Sequence, residues 1–250
     1  MQEVKCGKAE KPFGLPFLQS GNPAILQFMR KLIIAIDGPS GAGKGTVARA
    51  IADTLGYRHV DSGAMYRAVG WQALRDQLPL DDEPAMARLA EHARIELSAT
   101  GVSIDSVDVT QAIRTPDIDR AAAAVARLPG VRHALVGRQR QLGAGGGIVM
   151  EGRDIGTVVF PEADVKLYLD ASPEERARRR AADPAHSARS NPVNEVETAL
   201  AARDEIDRTR SASPLYAAND AVVVDTTGKT IDEVVREVMV VIQENLELRR

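Results

Sequence analysis

Hydrophobic and polar positions along the chain fall into blocks whose period switches between that of strands and that of helices. Residues 32–36, LIIAI, form a continuous apolar run closed by Asp37, the pattern of a strand buried on both faces. VARAIADTL then places Val47, Ile51 and Leu55 on one helical face. Tyr57–Val60 predicts a second short strand, ended by Asp61-Ser62-Gly63, with Ser62 placed to cap the helix AMYRAVGWQALRDQ. From residue 81 the pattern changes. A helical stretch, Glu83–His92, gives way to alternation at Ile95 and Leu97 and at Val102 and Ile104, around Thr100-Gly101. That alternation predicts a small hairpin or three-stranded insert outside the main sheet. RAAAAVARL (120–128) returns to helix, Pro129-Gly130 breaks it, and VRHALVGRQRQL makes another. The strands IVME, DVKLYLD (164–170) and AVVVD (221–225), the last expected to be buried, alternate with the helices SPEERARRR, EVETALAARDEIDRTR and an amphipathic closing helix from Thr230. About five strands with helical crossovers predict an α/β fold, a parallel sheet with helices on both faces and ligands at the carboxyl ends of the strands. Asp37, Asp61 and Glu151 lie at such ends.

Between the first strand and the first helix stands Gly38-Pro39-Ser40-Gly41-Ala42-Gly43-Lys44-Gly45-Thr46. Strand, glycine-rich turn, helix is the context in which G-x-x-x-x-G-K becomes a phosphate loop. Glycines let successive backbone N–H groups turn inward, the helix N-terminus adds partial positive charge, and Lys44 supplies a full one. A hydroxyl near the helix start is needed to help hold Mg²⁺. Gly45 follows the lysine here, so that hydroxyl is Thr46. The later GAGGG (143–147) lacks a lysine and precedes a strand, which makes it a turn.

Composition narrows the picture further. A chain of 250 residues with 44% hydrophobic content is expected to build one sizeable domain, and 4% aromatic residues leave its packing to aliphatic side chains. A net charge of −3 gives no basic bias towards nucleic acid, so a local arginine cluster carries more information. The single Cys6 excludes an internal disulfide and fits a reducing compartment. No apolar run reaches the ~18 residues of a membrane span. A cytoplasmic location follows as an expectation. Residues 1–31 carry scattered apolar positions without a period and no compact signal-peptide core, and read as a poorly ordered extension ahead of a single domain at 32–250. Met29 would make a natural start; the alternative is a segment docked through Phe13, Phe17 and Phe28.

Phosphoryl transfer asks a protein to hold two polyanions in line and neutralise their charge, so arginines and a magnesium site matter more than a nucleophile. Arg176, Arg179 and Arg180 share one helical face, as do Arg203, Asp207 and Arg210. Each set alone is compatible with solvated salt pairing, Glu175 with Arg179 and Arg203 with Asp207. Two such helices, separated by a polar loop and downstream of a phosphate loop, favour anion binding.

The motifs IDGPSGAGKGT (36–46), DSGAMYR (61–67), VR (131–132), EGRDIGTVVFPEADVKLYLDAS (151–172), ARDEIDRTRSASPL (202–215) and AVVVDTT (221–227) run in an order that resembles bacterial cytidylate kinases, P-loop kinases of nucleoside monophosphates. The resemblance covers nearly everything from residue 32 onward. It implies transfer of the γ-phosphoryl group of ATP to CMP or dCMP with Mg²⁺, by a monomer of five parallel strands, a nucleotide-binding insert (about 85–118) and a short LID (about 178–194). It further implies that Gly38 to Thr46, that is Gly38, Pro39, Ser40, Gly41, Ala42, Gly43, Lys44, Gly45 and Thr46, bind ATP. Ser62, Arg67, Arg132, Arg153, Asp154, Arg203, Asp207 and Arg210 match positions that hold the monophosphate. Lys44, Arg153, Arg203 and Arg210 are the catalytic candidates, and Arg176, Arg179 and Arg180 are expected on the LID side against the ATP phosphates. Arg67, Arg153, Arg203 and Arg210 suit a bidentate grip on phosphate. Asp154 and Arg132 suit the amide-like edge of cytosine, and Asp207 a sugar hydroxyl. Where the family usually carries a serine, this chain has Ala123, which removes a hydroxyl from the base pocket.

Other readings are a kinase for UMP, AMP, shikimate or dephospho-coenzyme A, and a silent nucleotide-binding module. EGRDIGTVVFP and DSGAMYR oppose the first; intact Lys44, Thr46 and the arginine set oppose the second. A GTPase switch would need an N-K-x-D-type motif, and the chain has none.

Overall fold

The computed structural model describes residues 31–98, 100–183 and 192–248. The expected N-terminal extension and most of the polar loop assigned to the LID lie outside the described residues.

Strand β1 (Ile33–Asp37) enters the centre of a sheet whose order is β2-β6-β1-β7-β8, all parallel, with β2 at Arg58–Asp61, β6 at Ile148–Glu151, β7 at Val165–Asp170 and β8 at Val222–Asp225. Alternation along β1 decides which helices cover it. Ile34 and Ile36 turn to the side where Val47 and Ile51 of α1 (Lys44–Leu55) and Val234, Val238 and Ile242 of α8 (Ile231–Leu248) pack. Ile33 and Ala35 turn the other way, towards Val60, Met150 and Val136 of α5 (Pro129–Gly143). The register sets Asp61 opposite Glu151 and Glu151 opposite Ile36, so the polar strand ends stand at one edge. No helix among the described residues is long and apolar enough to cross a membrane.

Helix α2 (Ser62–Arg75) follows β2, and α3 (Glu83–His92) leads into an antiparallel sheet of β3 (Ile95–Leu97), β4 (Val102–Ile104) and β5 (Val107–Asp108). Asp105 and Ser106 join β4 to β5 with φ of 49° and 68°, the left-handed pair that a two-residue hairpin turn requires. Ile104, Val109 and Ile113 of this sheet and its exit pack on Ala64 and Ala68 of α2. Chain then returns through α4 (Pro116–Val125), capped by Thr115, whose hydroxyl accepts from the Ile118 N–H at 3.3 Å.

Four local expectations change. The cap of α2 is Asp61, whose carboxylate accepts from the Ala64 N–H at 3.0 Å, while Ser62 is inside the helix and donates to the Glu151 carbonyl at 2.7 Å. Aspartate one residue earlier reaches the free N–H first, which releases the serine for a contact across the sheet edge. Helix α4 begins at Pro116 instead of residue 120, so Asp119 is helical. Pro129 is the first residue of α5, a position where its missing N–H costs nothing. AVVVD is not a buried strand: β8 closes the sheet as an edge, and only Val224 of Val222–Asp225 is buried.

Candidate active site

The loop between β1 and α1 is held in shape by backbone strain that only glycine relieves. Gly38 has φ of 144°, and a Cβ there would sit 2.0 Å from the Leu169 carbonyl oxygen. Gly43, at φ 86°, precedes α1 with no side-chain cap, and the first turn of α1 carries no acidic residue. A helix start with free N–H groups and no competing carboxylate is an anion site. Lys44 begins the helix and its Nζ donates to the Pro39 carbonyl at 2.7 Å. Burial, then the nearby Arg153, pushes the Lys44 ammonium down to about 7, opposed by Glu151 and Asp37. Glu151 also accounts for the glycine after the lysine, because a Cβ at Gly45 would lie 2.9 Å from its Oε1.

A second carboxylate fixes the neighbouring loop. Asp37 accepts from the N–H groups of Ile155 and Gly156 at 2.8 and 2.7 Å, anchoring the π-helical turn Ile155–Val159 behind Arg153 and Asp154. Burial pushes its carboxyl up to about 6 against those two hydrogen bonds.

These loops border a cavity of about 1190 Å³. Twelve Lys and Arg side chains against eight Asp and Glu line it, in a chain whose net charge is −3. Arg67 donates to Asp61 at 2.6 Å. Arg153, on the loop after β6, donates through Nε to Asp207 at 2.9 Å, and Arg210 Nη1 lies 3.4 Å from the other oxygen of Asp207. Burial alone would raise the Asp207 carboxyl, but Arg153 and Arg210 outweigh it and hold it below its usual value. Arg203 and Arg210 are both pushed down, by burial first, and Arg203 further by Arg153, Arg210 further by Arg132. Arg203 Nε and Arg210 Nη2 are buried without a hydrogen-bond partner among the described residues. At the far end Arg132 and Asp154 form a buried ion pair; Arg132 also donates to Ser213 Oγ at 3.1 Å and lies 5.6 Å from the Tyr66 ring centroid. Ala122, Ala123 and Ala126 of α4 and its exit also line the cavity.

Of the residues singled out from sequence, Ser40, Gly41, Gly43, Lys44, Gly45 and Thr46 line the cavity on the loop side. Ser62, Arg67, Arg132, Arg153, Asp154, Arg203, Asp207 and Arg210 line the same cavity, as do Arg179 and Arg180 of α6 (Pro173–Ala182). Gly38, Pro39 and Ala42 shape the loop from behind. Arg176 is placed differently from the expectation. It is buried beneath the loop, donating to the Ser40 and Ala171 carbonyls at 3.2 and 3.1 Å and pairing with Asp204 of α7 (Val193–Thr209). Its three partners all belong to the protein, so it acts as a strut. Asp119, His59 and Tyr66 are among the cavity residues that were not singled out. His59 Nε2 lies 3.1 Å from Glu151 Oε1. Asp119 pairs with arginines 61 and 84 residues further on, a separation at which sequence spacing holds no signal.

A parallel sheet with a phosphate loop at its central strand, a lysine at the helix start and an arginine-lined cavity across from it define a P-loop kinase. Residues 34–244 match the cytidylate kinase family model, and the chain belongs to that family. It is 46% identical to the cytidylate kinase of Desulfitobacterium hafniense over 87% of this chain and 95% of that protein. The cytidylate kinase of Solibacter usitatus is 45% identical, over 86% and 93% of the two chains. That of Ligilactobacillus salivarius is 47% identical, over 86% and 98%.

Proposed function

We propose that this chain transfers the γ-phosphoryl group of ATP to CMP or dCMP, giving the nucleoside diphosphate and ADP. The observation that carries the reading is one cavity in which a phosphate loop faces a basic cluster with two buried, unpartnered guanidinium nitrogens, at Arg203 and Arg210. Unpaired buried donors are costly unless an acceptor arrives, and a phosphate oxygen is the acceptor whose charge matches. ATP lies with its phosphates on Gly38 to Thr46, with Lys44 and Arg179 reaching the outer ones. The monophosphate is gripped by Arg67, Arg153, Arg203 and Arg210. Arg132 and Asp154 present a donor and an acceptor to the cytosine edge, Ser62 borders the same pocket, and Asp207 takes a sugar hydroxyl. Residues from about 85 to 118 form the acceptor-side insert, and those from about 178 to 194 the LID.

Mg²⁺ accompanies ATP in this reading. Magnesium takes one or two protein oxygens and completes its shell with phosphates and water. The exposed hydroxyl of Thr46 and the Glu151 carboxylate beside Gly45 fit that demand. When bound, the ion neutralises phosphate charge during transfer.

The test is ADP release with Mg-ATP against CMP, dCMP, UMP and AMP. CMP and dCMP are expected to dominate; comparable turnover of UMP would mean a base pocket tuned otherwise. Ala123, half-buried at that pocket, is the position to probe. Ala123→Ser adds a hydroxyl donor or acceptor worth about 0.5–1.5 kcal/mol, and should lower KM for CMP about two- to tenfold with kcat unchanged. An unchanged KM would remove α4 from base recognition.

A further inference from the structure

Four arginines of the cavity stand against three carboxylates in the same way. Asp61 takes Arg67, Asp154 takes Arg132, and Asp207 takes Arg153 and Arg210. Asp119 differs in what it spans. From the first turns of α4 it ion-pairs with Arg180 of α6 and lies 3.3 Å from Arg203 Nη1 of α7, so one carboxylate joins α4 to both of those helices. The three side chains are 13%, 22% and 21% exposed, enclosed enough for a charge pair to matter and open enough for a ligand to reach it. Arg67 and Arg153 also stand close enough for their fields to reach Arg203.

A carboxylate and a phosphate present the same feature to a guanidinium, two oxygens sharing negative charge at bidentate spacing. The acceptor phosphate assigned above needs Arg203, which Asp119 holds. We propose that Asp119 is an internal competitor of the acceptor phosphate, holding Arg180 and Arg203 until the phosphate displaces it and so setting the affinity for the acceptor. It is a positioning residue, acting through two arginines. Its charge is exchanged for that of the substrate, which keeps the arginines from collapsing onto other carboxylates and lets the product leave when Asp119 returns. The proposal rests on the reading of the arginine cluster as the acceptor phosphate site.

Local structure permits a clean test. Helix α4 keeps its Thr115 cap, its Pro116 start and the acidic Asp117 when Asp119 is changed, so Asp119→Asn should fold. Two measurements are made on the full chain. The first is calorimetric binding of inorganic pyrophosphate in metal-free buffer, and the second is the kinetics with CMP at saturating Mg-ATP. Asp119→Asn should bind pyrophosphate and lower KM for CMP by about five- to tenfold, with kcat unchanged or reduced as the product is held longer. Asp119→Glu keeps the charge and should stay within about twofold of the parent. A residue that merely props the two helices apart would weaken both measurements when neutralised. Unchanged or weaker pyrophosphate binding in Asp119→Asn overturns the proposal, as does an Asp119→Glu variant that behaves like Asp119→Asn. If the parent chain ignores CMP while Asp119→Asn still tightens pyrophosphate, the competition stands and the acceptor assignment is what falls.

Discussion

Lys44→Ala is expected to reduce phosphoryl transfer by about 10³-fold or more, the scale of losing a fixed cation from a phosphoryl transition state. Lys44 is the first residue of α1, buried, with its ammonium placed against the loop by the Pro39 carbonyl. Its charge is expensive to hold there. Burial and Arg153 lower the ammonium to about 7, well below the 10.5 of a free lysine. The unfolded chain therefore binds more protons than the folded one between those two values, and the contribution of Lys44 makes stability rise with pH across that window. Removing the side chain should leave thermal stability equal or higher at pH 6, which separates lost chemistry from lost folding. A polyphosphate beside Lys44 favours the charged form, so ATP binding at pH 8 should take up about one proton, falling towards zero near pH 6. Calorimetry in buffers of different ionisation enthalpy reads this directly, and the uptake should vanish in Lys44→Ala. Single-turnover transfer of labelled γ-phosphate at the parent rate in that variant would refute the phosphate-loop assignment.

Arg153→Ala should lower kcat/KM for CMP by about 10²- to 10³-fold while changing KM for ATP far less. The side chain lines the cavity. It donates to Asp207, and its charge depresses Lys44. Asp207 in turn raises the Arg153 guanidinium above its ordinary value, against burial, so the charge is locked in place before any substrate arrives. A fixed cation between donor and acceptor acts on the transferring group without reorganising. Losing it also leaves Asp207 with Arg210 as its remaining ion-pair partner, and a less neutralised buried carboxylate repels the incoming phosphate. Steady-state kinetics with CMP varied at saturating Mg-ATP give the answer; an unchanged response to CMP concentration would take Arg153 out of the site.

Much of the scaffold was legible because its signals are local. LIIAI followed by a glycine-rich turn and Lys44 names a strand, a phosphate loop and a helix within fifteen residues, and the sheet order places them centrally. The insert was legible for the same reason, through alternation at Ile95, Leu97, Val102 and Ile104. Local signals also misled. Ser62 is as good a cap as Asp61, and only the position of the Glu151 carbonyl across the sheet edge draws its hydroxyl away. AVVVD carries the apolar run of a central strand, yet the number of strands that fit beside it is a property of the whole sheet, which ends there.

The arginines mark the boundary most sharply. Helical spacing gave Arg176, Arg179 and Arg180 one face, and that face splits: Arg179 and Arg180 reach the cavity while Arg176 braces the loop through Ser40, Ala171 and Asp204. The amino-acid sequence by itself determined the strand–loop–helix anion site, the α/β order and the supply of charge, because each depends on residues within a few turns of one another. Only the tertiary structure decided which carboxylate faces which guanidinium, including Asp119 against Arg180 and Arg203. Charge pairing acts through space over a few ångströms, and that neighbourhood exists only after distant segments have packed.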